Sequence, residues 1–261
     1  SPDTRAGNWD ACSGYHYNDT TLKGFSHTHL SGTGCIDLGD ILFRPTTLKP
    51  DLTTESIYQP AAFSHKDEDA SAGYYSVVLK EEGIKAELTV TAHAGMHRYT
   101  FPSGKEASII IDLTHLLDNE YIYEAELEQT AANEITGMRR TRGWTDNQYV
   151  YFVAQFSKPF QAIDFIQNKK MVSAGVKLNG TDLQACLSFD NSNGEPVIAK
   201  VGLSIVSEKN ARENLETEVI GFDFDAVRSA ARSAWEQALS AITVKGGNTD
   251  DLKNFYTDMY N

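Results

Sequence analysis

Ile84-Lys85-Ala86-Glu87-Leu88-Thr89-Val90-Thr91-Ala92-His93-Ala94 is the stretch on which the fold turns. Ile84, Ala86, Leu88, Val90 and Ala92 fall on one side of an extended chain, and Lys85, Glu87, Thr89, Thr91 and His93 on the other. A period of two with one apolar face predicts a half-buried β-strand, because successive side chains of a strand point to opposite faces. Working outward, Tyr74–Lys80, Ser108–His115, Gln148–Ser157, Met171–Leu178, Leu183–Asp190 and Val197–Val206 are further strand-like runs. Turn material such as Glu82-Gly83, Asn179-Gly180 and Asn191-Ser192-Asn193-Gly194 separates them. Strand after strand without intervening helices predicts a mainly β fold, a large antiparallel β-sandwich. Gln148–Ser157 is apolar on both faces, so one sheet should carry a further layer.

The pattern changes sharply near residue 222. Across Asp223–Val244, Val227, Ala230, Ala231, Ala234, Trp235, Ala238, Leu239 and Ile242 recur at three- and four-residue spacing, which predicts an amphipathic helix. Asp223 or Asp225 can cap its start, and Gly246-Gly247 stop it. Asp250 and Asp251 open a second helix that carries Phe255, Tyr256, Met259 and Tyr260. The expected organisation is a sandwich over 1–221, a C-terminal linker helix over 222–247, and over 248–261 the first helix of a unit continuing past Asn261. So much aromatic surface on a terminal helix expects a partner, self-association through that helix, or a disordered C-terminus.

The 261 residues carry 23 basic and 36 acidic side chains, a formal charge of −13. Such a balance repels a phosphate backbone and argues against nucleic acid as a partner, leaving neutral or cationic small ligands favoured. The longest apolar stretch, Ile109–Ile111 and Leu113–Leu117, is broken by Asp112 and His115. It falls well short of the roughly 20 residues a membrane span requires. Cys12, Cys35 and Cys186 make an odd count, which leaves both disulfides and redox compartment open. The chain starts Ser1-Pro2-Asp3 with no initiator Met and no leader-like region, as expected where a leader or upstream sequence has been removed.

Chemistry-bearing residues concentrate in Gly7–Tyr17 and Gly24–Asp40, rich in His, Asp, Gly and Cys. One reading is a ligand-lining loop, with Trp9 or Tyr15 as apolar platforms and His27 and His29 as hydrogen-bond donors. A second is a zinc site of His27, His29 and Cys35 or Asp37, although the spacing fits no standard pattern. A third is a histidine pair satisfied by backbone carbonyls. Asp10, Asp37 and Asp40 are acid–base candidates by type, but solvated turn aspartates are the better reading. Arg139-Arg140-Thr141-Arg142 reads as charge balance on a strand edge, and Trp144 as a core or inter-domain anchor ahead of a sugar platform. Glu68-Asp69 and Glu81-Glu82 read as solvated turns. Gly32-Thr33-Gly34 lacks the Lys and strand-to-helix context of a nucleotide loop.

The order Ser1-Pro2-Asp3-Thr4, Trp9, Ser13-Gly14-Tyr15 and Gly24-Phe25-Ser26-His27-Thr28-His29-Leu30-Ser31-Gly32-Thr33-Gly34-Cys35 resembles glycoside hydrolase family 92, calcium-dependent exo-acting α-mannosidases. The resemblance continues in Phe63-Ser64-His65, Gly73-Tyr74-Tyr75-Ser76-Val77, His97-Arg98-Tyr99-Thr100-Phe101-Pro102 and Arg139-Arg140-Thr141-Arg142-Gly143-Trp144. Tyr151-Phe152-Val153-Ala154, Val201-Gly202-Leu203-Ser204, Trp235 and Phe255-Tyr256-Thr257 extend it over essentially the whole chain. It implies an N-terminal β-sandwich, a helical linker and an (α/α)6 barrel, with the catalytic acid, base and calcium ligands in the barrel beyond Asn261. No catalytic or metal-binding residue is then expected here, and the chain alone should be inactive. The implied parent is a secreted or periplasmic α-1,2-mannosidase that removes terminal α-mannose from glycans with inversion. In it this domain lines the substrate pocket through Trp9, Asp10, Tyr15, His27 and His29, with Trp9 under a distal sugar. The alternatives are a free-standing carbohydrate-binding module and a small β-fold metalloenzyme using His27 and His29.

Overall fold

The computed structural model describes residues 1–4, 12–30, 36–48, 59–117, 121–172 and 177–260. Trp9, Asp10 and Cys35 lie outside the described residues. In chain order the strands begin with β1 (Pro2–Asp3), β2 (Thr21–Leu22), β3 (Gly24–Phe25), β4 (Leu42–Thr46), β5 (Ala61–Ala62) and β6 (Glu68–Ser71). Next come β7 (Tyr74–Leu79), β8 (Ile84–Val90), β9 (Ala94–Thr100), β10 (Ala107–Asp112), β11 (Tyr121–Ala131) and β12 (Glu134–Arg142). Then follow β13 (Gln148–Phe156), β14 (Ala162–Gln167), β15 (Lys170–Val172), β16 (Leu178–Gly180), β17 (Leu183–Phe189) and β18 (Val197–Ser204). Helices α1 (Glu208–Glu218), α2 (Phe224–Leu239) and α3 (Thr249–Tyr260) close the chain.

The strands form a seven-stranded sheet, β1-β3-β4-β10-β17-β14-β15, and a nine-stranded sheet, β16-β11-β12-β13-β18-β9-β8-β7-β6. A small third sheet pairs β2 with β5. Among the described residues all strand pairings are antiparallel, from Ile109↔Leu187 in the first sheet to Thr136↔Val153 in the second. Phe25, Phe43, Ile109, Ile111, Leu127, Phe152, Phe156 and Leu187 are buried between the two large sheets. Apolar burial of this kind supplies about 1.5–3 kcal/mol per large side chain, which is what drives the two sheets together. This is the expected antiparallel β-sandwich.

Helices form the extra layer that the two-faced strand β13 called for. Ser207 caps α1 by accepting from the Asn210 amide at 3.1 Å, and Ala211 and Leu215 turn inward onto β18. Gly202 permits that approach, since a Cβ there would lie 2.3 Å from the Ala211 carbonyl oxygen. Asp223 caps α2 through the Ala226 amide at 2.9 Å. Phe224 is buried under the Arg98 guanidinium, 4.3 Å from its ring centre, and Arg98 forks onto Glu87 at 2.8 and 2.9 Å. Burial opposes ionisation of Glu87, but bonds from Arg98, Tyr74 and Lys85 win and hold its carboxyl at about 2.

Several expectations need correcting. The opening strand stops at Val90, with a turn before Ala94, and it is covered on both faces. Glu87 and Thr89 are buried because α2 lies over them, whereas Val90 is exposed. The single strand expected over Met171–Leu178 is two short strands in different sheets, β15 and β16. The helix expected to reach Val244 ends at Leu239. Helix α1 and the long β11–β12 hairpin lie outside the expected elements; α1 buries only Ala211 and Leu215 and is otherwise charged or polar.

Helix α3 contains no buried residue and packs on α2 through Trp235 and Tyr260, whose rings are 4.5 Å apart. An apolar stripe this incompletely covered should drive association of the isolated chain. Sedimentation velocity should show a concentration-dependent shift to larger species, and Phe255→Glu with Met259→Glu should abolish it.

Candidate functional site

A cleft of about 820 Å³ opens at one edge of the sandwich. Its walls are Ser13, Tyr15 and Tyr17 ahead of β2, His29 and Leu30 after β3, and His65, Glu68, Tyr74 and Tyr75 around β6 and β7. Trp235 of α2 and Tyr260 of α3 complete it. Gly73 lets α2 come this close: it has φ +78°, and its Cβ position lies 3.0 Å from the Ala231 Cβ.

Glu68 organises the floor. Ser64 caps a single 3-10 turn, His65–Asp67, which delivers the His65 ring to the carboxylate three residues on. His65 Nδ1–H donates to Glu68 Oε2 at 2.6 Å, the Tyr75 hydroxyl donates to Oε1 at 2.6 Å, and the Tyr15 hydroxyl to Oε2 at 3.1 Å. Burial and the facing Glu68 charge push both phenols above their ordinary pKa, so both remain donors at neutral pH. Tyr17 stacks on His65 at 4.3 Å and 9°. Glu68 and Glu82, read from sequence as solvated turn residues, are both nearly buried (8 % and 7 % side-chain exposure). Their acceptors are used internally, Glu82 taking the Thr47 amide at 2.6 Å.

Behind the cleft, β1 places Asp3 fully buried between two imidazoles, His29 Nε2 at 2.6 Å and His115 Nε2 at 2.9 Å. Burial alone would raise the Asp3 carboxyl; the bonds from His115 and His29 reverse this and hold it well below the usual range. Ser26 Oγ lies 2.9 Å from the same His29 Nε2. Ser26, His29 and Asp3 therefore match a hydrolase triad in residue type only. A relay needs the serine and the carboxylate on opposite ring nitrogens. Gly14, at φ +81°, is required beside this cluster, because a Cβ would lie 2.2 Å from Asp3 Oδ1.

His27 points inward. Its Nδ1 meets the Ile41 carbonyl at 2.7 Å and its Nε2 meets His97 Nε2 at 3.0 Å. Burial lowers the His27 pKa to about 3. His27 and His29 thus face different partners, and among the described residues no group of three or more His, Cys, Asp or Glu could hold a metal ion.

Asp37 and Asp40, read from sequence as solvated, are buried. Asp40 accepts from Arg139 Nε at 2.9 Å and from Thr28 Oγ1 at 2.7 Å. Asp37 accepts the amides of Leu38 and Trp144 at 2.9 and 3.0 Å. Arg139 lies not on an edge but on β12, between β11 and β13, where it is 1 % exposed. Trp144 is not a core residue: it is 71 % exposed although its backbone N–H is held by Asp37.

Of the residues expected to bind substrate, the cleft brings together Tyr15 and His29, while His27 lies beneath it. Sequence reasoning missed Asp3, Glu68, His97, His115 and Arg139. Only the His65–Glu68 spacing offered a local signal, since the others meet across distant strands.

A model described as "Glycosyl hydrolase family 92 N-terminal domain" matches residues 1–204, and one described as "Glycosyl hydrolase family 92 catalytic domain" matches 210–261. The chain belongs to glycosyl hydrolase family 92. It is 30 % identical to an "Uncharacterized secreted glycosidase" of Arthroderma benhamiae, over 95 % of this chain and 36 % of that protein. The family GH92 alpha-mannosidase BT3965 from Bacteroides thetaiotaomicron, solved in complex with mannoimidazole, is 38 % identical. That likeness has a TM-score of 0.92 over 100 % of this chain and 35 % of the other. BT2199 of the same organism, described as an inverting mannosidase, shares the fold at 23 % identity and TM-score 0.84, over 100 % of this chain and 34 % of that one. The chain thus spans about a third of the length of these relatives. In this family member the cleft is lined from both matched regions, by Tyr15, His29 and Glu68 on one side and by Trp235 and Tyr260 on the other.

Replacing Glu68 by Ala removes the acceptor shared by Tyr15, Tyr75 and His65. Each orphaned donor costs about 1–3 kcal/mol. We expect Glu68→Ala to lower the melting temperature by several degrees, read by calorimetry, with Glu68→Gln retaining part of the loss.

Proposed function

We propose that this chain is the N-terminal, substrate-facing part of a secreted or periplasmic exo-α-mannosidase that removes terminal α-mannose from glycans with inversion, with α-1,2 linkages as its first candidate. The observation that carries this reading is the cleft straddling the two family regions. Tyrosine and tryptophan faces suit the apolar faces of a sugar ring, and fixed donors and acceptors at the rim suit its hydroxyls. The domain boundaries proposed are a sandwich over 1–221, a linker helix over 222–247 and the opening of the catalytic unit over 248–261. Trp9 and Asp10, outside the described residues, are proposed as further contacts, Trp9 as a distal-sugar platform.

Inverting hydrolysis needs two carboxyl groups about 6.5–9.5 Å apart, one protonated and one free to activate water. Asp3, Asp37, Asp40 and Glu68 are each bound to fixed protein donors, which favours placing the catalytic pair in the part of the family's catalytic domain outside these 261 residues. The described residues likewise do not fit a calcium ion, because these same carboxylates are committed to arginine, histidine, hydroxyl and amide donors.

The test has two arms. The 261-residue chain is expected to give no turnover of α-1,2-mannobiose with or without calcium. In the longer protein, Tyr15→Ala is expected to lower kcat/KM by about 10- to 100-fold, equivalent to ~1.4–2.8 kcal/mol. Turnover by the chain alone that a chelator abolishes, or unchanged kcat/KM in Tyr15→Ala, would overturn the assignment.

A further inference from the structure

His27, His97 and Tyr99 form a buried chain of polar groups that the proposed hydrolysis does not use. Its proton positions follow from its end. The Ile41 carbonyl can only accept, so His27 carries its proton on Nδ1 and presents a lone pair at Nε2. His97 Nε2, 3.0 Å away, must then be the donor, which leaves His97 Nδ1 to accept from the Tyr99 hydroxyl at 2.7 Å. One neutral arrangement satisfies every group. An added proton on His27 Nε2 sets two N–H groups head to head unless His97 moves its own proton to Nδ1, and that shift takes away the acceptor of the Tyr99 hydroxyl.

The far end of this chain holds a strained backbone. Leu38 has φ +73° and Ile41 φ +58°, the left-handed region, which is uncommon for any residue but glycine and rarest for a β-branched one such as Ile41. Strain of this kind persists only where neighbouring groups over-determine it. Between these two residues run the contacts that fold 36–40 back on 26–30. They are His27 N–H to the Asp40 carbonyl at 3.0 Å, Gly39 N–H to the Thr28 carbonyl at 2.7 Å, and the His29–Leu38 bridge. His29 and Leu30 at the end of that pairing line the cleft.

We propose that His97 and Tyr99 are positioning residues of the candidate site: acting through His27, they hold the strained turn at Ile41, and acid releases the segment that shapes the cleft. The proposal rests on the cleft being the substrate wall only in its functional consequence. The groups facing the pair are Phe43 of β4, whose ring centre is 4.9 Å from that of His27, and Gly95 of β9, neither charged. Charge reaches His27 from the Ser1 amino group, His29 and Asp3, and reaches His97 from His27 and the Ser1 amino group. Burial holds both imidazoles neutral, His97 well below its ordinary pKa.

The experiment is nitrogen-15 NMR on the chain together with pH-dependent amide exchange of His27 and Gly39. We expect His27 as the Nδ1–H tautomer and His97 as the Nε2–H tautomer, both neutral at pH 5. Opening should grow about tenfold per pH unit below 6.5 for each histidine that gains a proton on release. In His97→Gln the amide can donate to His27 and accept from Tyr99 but takes up no proton, so the pH slope should fall to one proton or fewer while protection at pH 7 is kept. The tautomers and the exchange of these two amides report on the His27 turn itself, whereas a global melting measurement averages over the whole fold. An Nε2–H tautomer at His27, ordinary titration of either ring near 6.5, or equal slopes in wild type and His97→Gln would overturn the proposal. The tautomer result stands even if the variant fails to fold or the chain is not a mannosidase.

Discussion

Arg139→Met destabilises the chain by about 3–5 kcal/mol, the cost of leaving one member of a buried ion pair without its partner. Arg139 is 1 % exposed and Asp40 fully buried; besides Asp40, the guanidinium donates to the carbonyls of Leu113 and His115. This one side chain therefore ties the loop before β4 to the segment after β10 across strand β12. Removing the charge alone strands the Asp40 carboxylate; removing both leaves Thr28 and Gln148 short of an acceptor and the Leu113 and His115 carbonyls short of a donor. Urea denaturation of Arg139→Met, Asp40→Leu and the double variant is expected to give a coupling energy near the top of the ~0.5–3 kcal/mol range found for contacting residues. A single-variant cost below about 1 kcal/mol, the value of an exposed pair, would contradict the burial of this pair.

Acid unfolding is expected to set in well above the carboxylate range. His27 has a folded pKa of about 3 against an ordinary value of 6.5, so between these values the unfolded chain binds the extra proton. Stability then rises with pH and is lost as pH falls from 6.5 towards 3, by on the order of 5 kcal/mol for His27 if the full shift is expressed. His97 is displaced in the same direction and adds to the loss. The carboxyl of Asp3, held low by His115 and His29, contributes stability present above its unfolded value and lost only at lower pH. At the other extreme Tyr15, Tyr75 and Tyr99 are raised, so their contribution is present below about pH 10 and is lost above it. Urea midpoints measured from pH 4 to 7 should fall steeply towards acid, and less steeply in His97→Gln. A flat profile from pH 7 to 5 would mean that the histidine pair is hydrated and titrates normally.

The residues of the site were legible to different degrees. Tyr15 and His29 stood out because polar and aromatic residues crowd a segment with no strand period, and both line the cleft. His27, in the same motif, turns inward: its neighbour His97 comes from β9, 70 residues away, and nothing local reports that contact. Glu68 and Asp40 looked like turn carboxylates by residue type. Their burial is created by Tyr15, Tyr75 and Arg139, which arrive from other segments of the chain.

The amino-acid order alone determined the antiparallel sandwich, the need for a covering layer on β13 and the amphipathic character of α2. Each is a repeat of hydrophobicity at period 2 or 3.6, and side-chain geometry converts such a repeat into a face without knowledge of the partner. What covers a face, which sheet a short strand joins and whether a polar residue is solvated were decided only by tertiary structure. Leu178 and Val172 are six residues apart yet belong to different sheets, and Glu87 of the opening strand is buried because α2, more than 130 residues later, lies across it. Burial of a polar group costs free energy unless donors arrive to match it, and those donors come from segments that only the fold brings together.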